Sequence, residues 1–181
     1  MRVVAGVAGG RPLVSPVGTT TRPTSDRVRE SIFNMLFSLG ATEGSNVCDL
    51  YAGSGALGIE ALSRGATSCV FVEQDRGAIE VIHENLETLG FEDRATVIQG
   101  DVLAWVERDN TAFDLVLADP PYAQENWEVL FEFVHATYLV AESGDSLAPH
   151  PHWDAVREKK YGTTLVTVLT RHKAASKGTT R

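Results

Sequence analysis

Apolar residues follow two rhythms along this chain. From residue 46 onward, runs of strand length recur at 46–51, 68–73, 94–99, 113–118, 137–141 and 164–170. Most are separated by stretches with helical spacing, at 56–64, 76–89 and 125–136. This alternation predicts an α/β fold, a parallel sheet with helices on both faces. Val70-Phe71-Val72 and Leu115-Val116-Leu117-Ala118 are apolar without interruption, as strands buried on both sides are. Extended runs near 154–160 and 163–170 meet at Tyr161-Gly162-Thr163 and predict a terminal antiparallel hairpin.

The first forty residues read differently. Arg2-Val3-Val4-Ala5-Gly6 and Arg11-Pro12-Leu13-Val14 flank Ala8-Gly9-Gly10 and predict a small β-hairpin. A loop of small and polar residues follows, from Gly18 to Thr24. A helix then starts with Thr24 or Ser25 as its cap and Asp26 at the positive end of its dipole. Val28, Ile32, Met35 and Leu39 form its apolar stripe, and Gly40 ends it.

Length and composition set the frame for these elements. A chain of 181 residues with 43% hydrophobic and 22% charged residues suits one globular domain and excludes wholesale disorder. The net charge of −8 argues against binding nucleic acid through bulk positive charge. That average hides a split. Residues 1–40 hold five arginines against two acids (+3), 41–156 hold four against 21 (−17), and 157–181 hold seven basic residues against one acid (+6). An acidic body thus carries two basic ends, the last of which, Lys173 to Arg181, reads as a flexible tail.

Cys48 and Cys69 sit inside apolar runs and read as small buried hydrophobes. His150 and His152 interleave with Pro149 and Pro151, with no third ligand nearby, and we expect a solvated loop without metal. No apolar run has signal-peptide or membrane-spanning length, so the expectation is a cytoplasmic protein.

The first strand of the alternating region runs into Asp49-Leu50-Tyr51-Ala52-Gly53-Ser54-Gly55-Ala56-Leu57-Gly58. Gly53, Gly55 and Gly58 fit the spacing of a nucleotide-binding glycine loop between a strand and a helix. Glu73 ends the next strand, 20 residues after Gly53, where an acid can accept both hydroxyl hydrogens of a ribose. Both NAD(P) and S-adenosylmethionine bind at this place in similar sheets. Asp49 suits a ligand's ammonium or bound water and sits awkwardly beside a pyrophosphate, and by its resemblance to known families the loop favours the second. Asp101, after the third strand, accepts from an adenine amino group, with the Val102 N–H reaching a ring nitrogen, or caps the helix at 102–107, and one residue can do both.

The fourth strand ends in Asp119-Pro120-Pro121-Tyr122. Two prolines fix φ and remove two donors, leaving the Asp119 carboxylate and the Pro120 carbonyl as stiffly held acceptors. Side by side they suit an exocyclic amine, and the Tyr122 ring offers a planar base a stacking face. Such an amine is a poor nucleophile. Holding both its hydrogens draws the nitrogen toward tetrahedral geometry and aims its lone pair at an electrophilic methyl group.

This set resembles class I S-adenosylmethionine-dependent methyltransferases with a (D/N/S)PP(Y/F) motif. More closely it is similar to the bacterial RsmD-type small-subunit (16S) rRNA guanine-N2 methyltransferases. The resemblance spans nearly the whole chain. It covers Gly9-Gly10-Arg11, Arg22-Pro23-Thr24, Asp26-Arg27-Val28-Arg29-Glu30, Phe33-Asn34, the Asp49–Gly58 loop, Ala61-Leu62-Ser63-Arg64-Gly65-Ala66, Glu73 and Asp119-Pro120-Pro121-Tyr122. It departs at Ser143–Trp153 and in a tail past Arg171 that is longer than the family leads us to expect.

The resemblance implies a Rossmann-like class I methyltransferase fold, with a mostly parallel seven-stranded sheet and a terminal antiparallel hairpin. Residues 1–24 would be an RNA-contacting β-hairpin extension, 25–172 the methyltransferase domain and 173–181 the tail. Asp49, Tyr51, Gly53, Gly55, Glu73, Asp101 and Val102 would line the S-adenosylmethionine site, and Asp119, Pro120, Pro121 and Tyr122 would hold the target guanine. Arg2, Arg11, Arg22, Arg27 and Arg29, with Arg157, Lys159 and Lys160, would meet the phosphates of small-subunit rRNA, free or within a ribosomal subunit. The expected protein is a monomer without metal or membrane contact. Other readings stand beside it. They are another amino-directed methyltransferase (DNA adenine-N6 or small molecule), a nicotinamide-dependent oxidoreductase, for which Asp119–Tyr122 has no task, and a non-catalytic RNA-binding assembly factor.

Overall fold

Alternate residues of the central strands feed two separate cores. In β1 (Asn46–Leu50) Val47 joins one core, while Cys48 and Leu50 join the other. The same division runs through β2 (Ser68–Glu73), β4 (Phe113–Ala118) and β5 (Ala136–Ser143). There Cys69, Phe71, Leu115, Leu117 and Val140 face one side, and Val72, Val116, Leu139 and Ala141 face the other. A sheet buried on both faces needs helices on both. α1 (Asp26–Ser38), α2 (Ala56–Ser63) and α3 (Arg76–Leu89) cover the first face, and α4 (Val102–Val106) and α5 (Trp127–Phe133) the second. The computed structural model describes residues 1–16, 25–121 and 126–172.

The seven strands are ordered β3-β2-β1-β4-β5-β7-β6, with β3 at Ala95–Gln99, β6 at Trp153–Tyr161 and β7 at Thr164–Arg171. β1 to β5 pair in parallel, while β7 lies antiparallel to both β5 and β6. This is the α/β, mostly parallel sheet with the closing antiparallel hairpin that the pattern predicts. β6, the outer strand, carries a bulge between Ala155 and Arg157. Cys48 and Cys69 are both buried, but they belong to opposite cores and are not bonded to each other. Burial raises both thiols well above their ordinary value, which leaves them inert.

Two expectations need correcting. The N-terminal β-hairpin is not seen: the segment makes one isolated antiparallel bridge, Arg2 with Pro12. The molecule holds the segment by other means. Val3, Ala8 and Leu13 are buried in the core beneath α1, α2 and α3. Glu60 of α2 accepts the N–H groups of Val4 (2.7 Å) and Ala5 (3.0 Å), and Ser63 Oγ accepts that of Ala8 (3.0 Å). Strand partners are unnecessary where helix side chains satisfy the backbone.

The predicted helix at 125–136 is the shorter α5, capped by Asn126. It stops because Val134 is extended and Arg171 Nη1 donates to the Val134 carbonyl at 2.6 Å, which ties the helix end to β7. β5 begins at Ala136 and runs to Ser143, longer than its apolar run, because its pairing with β7 continues to Ser143 opposite Leu165.

Candidate active site at the carboxyl ends of the strands

The parallel register sets the site out as a row. Leu50 pairs with Val72 and with Ala118, and Glu73 pairs with Gln99. Tyr51, Glu73, Gln99 and Asp119 therefore stand one position beyond a common line, where doubly wound sheets bind ligands. Glu73 and Asp119 lie two strands apart, about 10 Å across the sheet. Asp101 and Val102 follow β3.

The glycine loop is built by two close constraints. Gly55 starts α2 at φ +76°, in the left-handed region, and its N–H bonds back to Ala52 at 2.7 Å. Gly58 lies against β2. A Cβ there would stand 2.3 Å from the Phe71 ring and 2.7 Å from Cys69 Sγ, so only glycine lets the helix approach the sheet. Gly58 thus serves packing rather than ligand contact.

Asp49 is buried, and its Oδ2 accepts the Gly58 N–H at 2.8 Å. Burial holds its carboxyl well above the usual carboxylate range. The Gly58 bond pulls the other way, and the charges of Asp119 and Glu73 add to the rise. Glu73 is fixed by three backbone donors: Gly53 at 2.8 Å on Oε2, and Gln74 (2.8 Å) and Asp75 (2.9 Å) on Oε1. A carboxylate offers about four acceptor sites, so Oε2 keeps one for a further donor. The backbone aims this acceptor at the glycine loop.

Asp101 resolves as a helix cap: its side chain accepts the Ala104 N–H at 2.9 Å. It remains exposed, while Val102 is buried. Tyr51 has φ +59°, which a residue with a side chain adopts at a cost. Its hydroxyl is buried and has no hydrogen-bond partner among the described residues. Burial, with the charge of Asp101, pushes this phenol up to about 12. A strained residue holding an orphaned hydroxyl at a strand end is a mark of a binding site.

The acids, the open acceptor of Glu73 and the orphaned hydroxyl together fit a cationic nucleoside cofactor such as S-adenosylmethionine. Asp119 is half-buried just beyond β4, and Pro120 is buried behind it. Tyr122 lies outside the described residues, as do Arg22 and the tail at 173–181.

The basic residues sort differently from expectation. Arg29 is fully buried and has no surface to offer a phosphate. It donates to the Arg2 carbonyl (2.5 Å) and to Asp26 (2.8 Å), and its Nε stands 3.7 Å from buried Glu60. Arg2 is exposed and pairs with Asp26 at 3.3 Å. Arg11 is exposed but donates to the Thr88 carbonyl; Arg27, Arg157, Lys159 and Lys160 are also exposed, with Arg157 donating to the Val156 carbonyl and Lys159 over the Tyr161 ring. Sequence reasoning missed Glu60, Ser63 and Asn85, the polar side chains that dock the N-terminal segment. A charged or amide residue within a helix carries no mark in the sequence that it is buried.

No helix of the described residues is long and apolar enough to cross a membrane, and among them no cluster of His, Cys, Asp and Glu is placed to hold a metal.

Comparison with known proteins agrees with this geometry. The family described as "Conserved hypothetical protein 95" matches residues 1–170. "Putative rRNA methyltransferase YlbH" of Bacillus subtilis (strain 168) is 40% identical over 153 residues, 83% of this chain and 82% of that protein. "Ribosomal RNA small subunit methyltransferase D" of Escherichia coli (strain K12) is 32% identical over 172 residues, 90% of this chain and 85% of that one. Among solved structures, "Putative methyltransferase yhhF from Escherichia coli" superposes with a TM-score of 0.85 at 30% identity, covering 96% of this chain and 99% of its own.

Proposed function

The chain belongs to the conserved hypothetical protein 95 family of S-adenosylmethionine-dependent methyltransferases, and we propose that it methylates the exocyclic N2 of a guanine in small-subunit ribosomal RNA. The observation that carries this reading is the placement of Asp119 and Pro120 beyond β4, in the same row as Glu73 and beside the glycine loop. The relatives' names supply the RNA, and the chemistry of the motif supplies the amine.

When bound, the cofactor supplies a methyl group on a sulfonium, an electrophile that needs only an aligned lone pair. Glu73 accepts from one ribose hydroxyl through its open acceptor, while Asp49 and the other strand-end acids favour the positive charge. The Asp119 carboxylate and the Pro120 carbonyl accept the two hydrogens of the guanine amine, and Tyr122 stacks on the base. Positioning does most of the work, and Asp119 takes the amine proton late, as the nitrogen becomes cationic, and passes it to water. The base must leave its stack to reach this row, which RNA loops and bulges allow. A dinucleotide fits less well, because hydride transfer gives Asp119 and Pro120 no task.

The test is Asp119→Ala. This variant keeps S-adenosylmethionine affinity by calorimetry and loses methyl transfer to small-subunit rRNA. Retained turnover overturns the role given to Asp119.

A further inference from the structure

One buried amide joins the N-terminal segment to the glycine loop. Asn85 lies on α3 and is 2% exposed. Its Oδ1 accepts the Val14 N–H at 2.8 Å, and its Nδ2 donates to the Val14 carbonyl at 3.1 Å and to the Ser54 carbonyl at 3.0 Å. Both Nδ2 hydrogens and one lone pair of Oδ1 are therefore used, with two bonds on the segment and one on the loop.

The loop contact falls at a sensitive place. The Ser54 carbonyl and the Gly55 N–H belong to the same peptide unit. Asn85 holds one side of that unit and the Ala52 carbonyl holds the other at 2.7 Å. Two residues earlier in the same loop, the Gly53 N–H is the one bonded to Glu73. Pinning the Ser54–Gly55 peptide therefore fixes the loop against the acid that faces the ribose. At the segment end, Val14 continues a stretch already docked by Glu60 and Ser63 on α2 and by Arg11 on the Thr88 carbonyl of α3.

We propose that Asn85 is a positioning residue that couples the docked N-terminal segment to the cofactor loop, so that cofactor affinity depends on a segment outside the cofactor site. This rests on the reading that the loop holds S-adenosylmethionine. The coupling is reciprocal: whatever steadies the segment, including RNA bound along it, tightens the cofactor, and the cofactor steadies the segment. Losing the amide leaves the Ser54 carbonyl and the Val14 backbone without their partner in a part-buried place, enough to shift affinity roughly tenfold.

The experiment compares four full-length proteins by calorimetric titration with S-adenosylmethionine and by steady-state methyl transfer: wild type, Asn85→Ala, Val14→Pro and, as a control on the same segment, Val7→Ala. Val14→Pro removes the N–H donated to Asn85 and alters no residue of the loop. Val7 is 84% exposed, so its truncation leaves the link intact. The expected result is cofactor affinity weakened roughly tenfold in both Asn85→Ala and Val14→Pro, with Val7→Ala unchanged. KM for the cofactor should rise while kcat at saturating cofactor holds, which a general loss of structure would not produce.

If Asn85→Ala does not fold, Val14→Pro carries the test. Wild-type affinity in Val14→Pro overturns the coupling. Absence of cofactor binding in the wild type overturns the reading of the loop itself, and the coupling with it.

Discussion

The carboxylate of Asp49, near the end of β1, accepts the backbone N–H of Gly58, in the first turn of α2, at 2.8 Å. A buried acid thus satisfies one of the N–H groups that the start of the helix leaves without a partner. The same contact places a carboxyl that resists ionisation beside a site for a cation.

The pH dependence of stability follows. Burial raises the Asp49 carboxyl above its unfolded value of about 3.9, so the folded state holds the proton over the window between the two values. The stability contributed by the neutral carboxyl is complete below the unfolded value and is lost as pH rises through the folded one. Asp49→Asn keeps an acceptor for Gly58 without the titration. Urea denaturation should show this variant gaining on the wild type as pH rises through that window, and parallel curves would contradict the assignment.

Binding a cation reverses the penalty. A cationic cofactor near Asp49 favours the charged form, so the wild type should release protons on binding S-adenosylmethionine. Calorimetric enthalpies should then vary with the ionisation enthalpy of the buffer. That dependence should shrink in Asp49→Asn.

Packing at Gly58 gives a second prediction. Gly58→Ala drives a methyl into the Phe71 ring and Cys69, overpacking a site with no slack, and should cost about 1–3 kcal/mol in denaturant unfolding. Phe71→Leu in the same chain should restore part of the loss, since the clash is with the ring.

The buried ion pair makes a third. Arg29 and Glu60 are both fully buried, and Glu60 also accepts two backbone N–H groups and the Arg64 Nε at 2.6 Å. Glu60→Ala takes away a buried partner of Arg29 and the acceptor of the Val4 and Ala5 N–H groups, and should destabilise the protein by about 3–5 kcal/mol by urea titration. The neighbouring Arg2–Asp26 pair is exposed, and breaking it should change little.

Much of this molecule was legible in its sequence, for identifiable reasons. The buried strands announce themselves by uninterrupted apolar runs, and the glycine loop by residues whose backbone no other side chain permits. Glu73 and Asp119 could be placed because strand ends in a parallel sheet converge. The N-terminal segment misled because Gly9-Gly10 between extended runs resembles a hairpin, while only an isolated bridge forms and other backbone groups bond to Glu60, Ser63 and Asn85, more than fifty residues away. Arg29 misled for a related reason. Its charge suggests surface, and only the fold reveals Glu60 beside it. The Asp101 cap was one of the readings the sequence allowed, and its side chain makes that bond.

Glu73 supplies a fourth prediction. Glu73→Ala removes both the acceptor for the Gly53 N–H and the one offered to the ribose. S-adenosylmethionine affinity should fall by about 10- to 100-fold in calorimetry, with the fold intact by circular dichroism. Unchanged affinity would place the ribose elsewhere.

The central claim is tested most directly by identifying the product. The protein is incubated with methyl-labelled S-adenosylmethionine and, in separate reactions, free small-subunit rRNA, assembled small subunits and DNA, and the digested nucleosides are separated. The account predicts label in N2-methylguanosine from the ribosomal substrates and none in DNA. Label in an adenine, in DNA or in no nucleoside would contradict it.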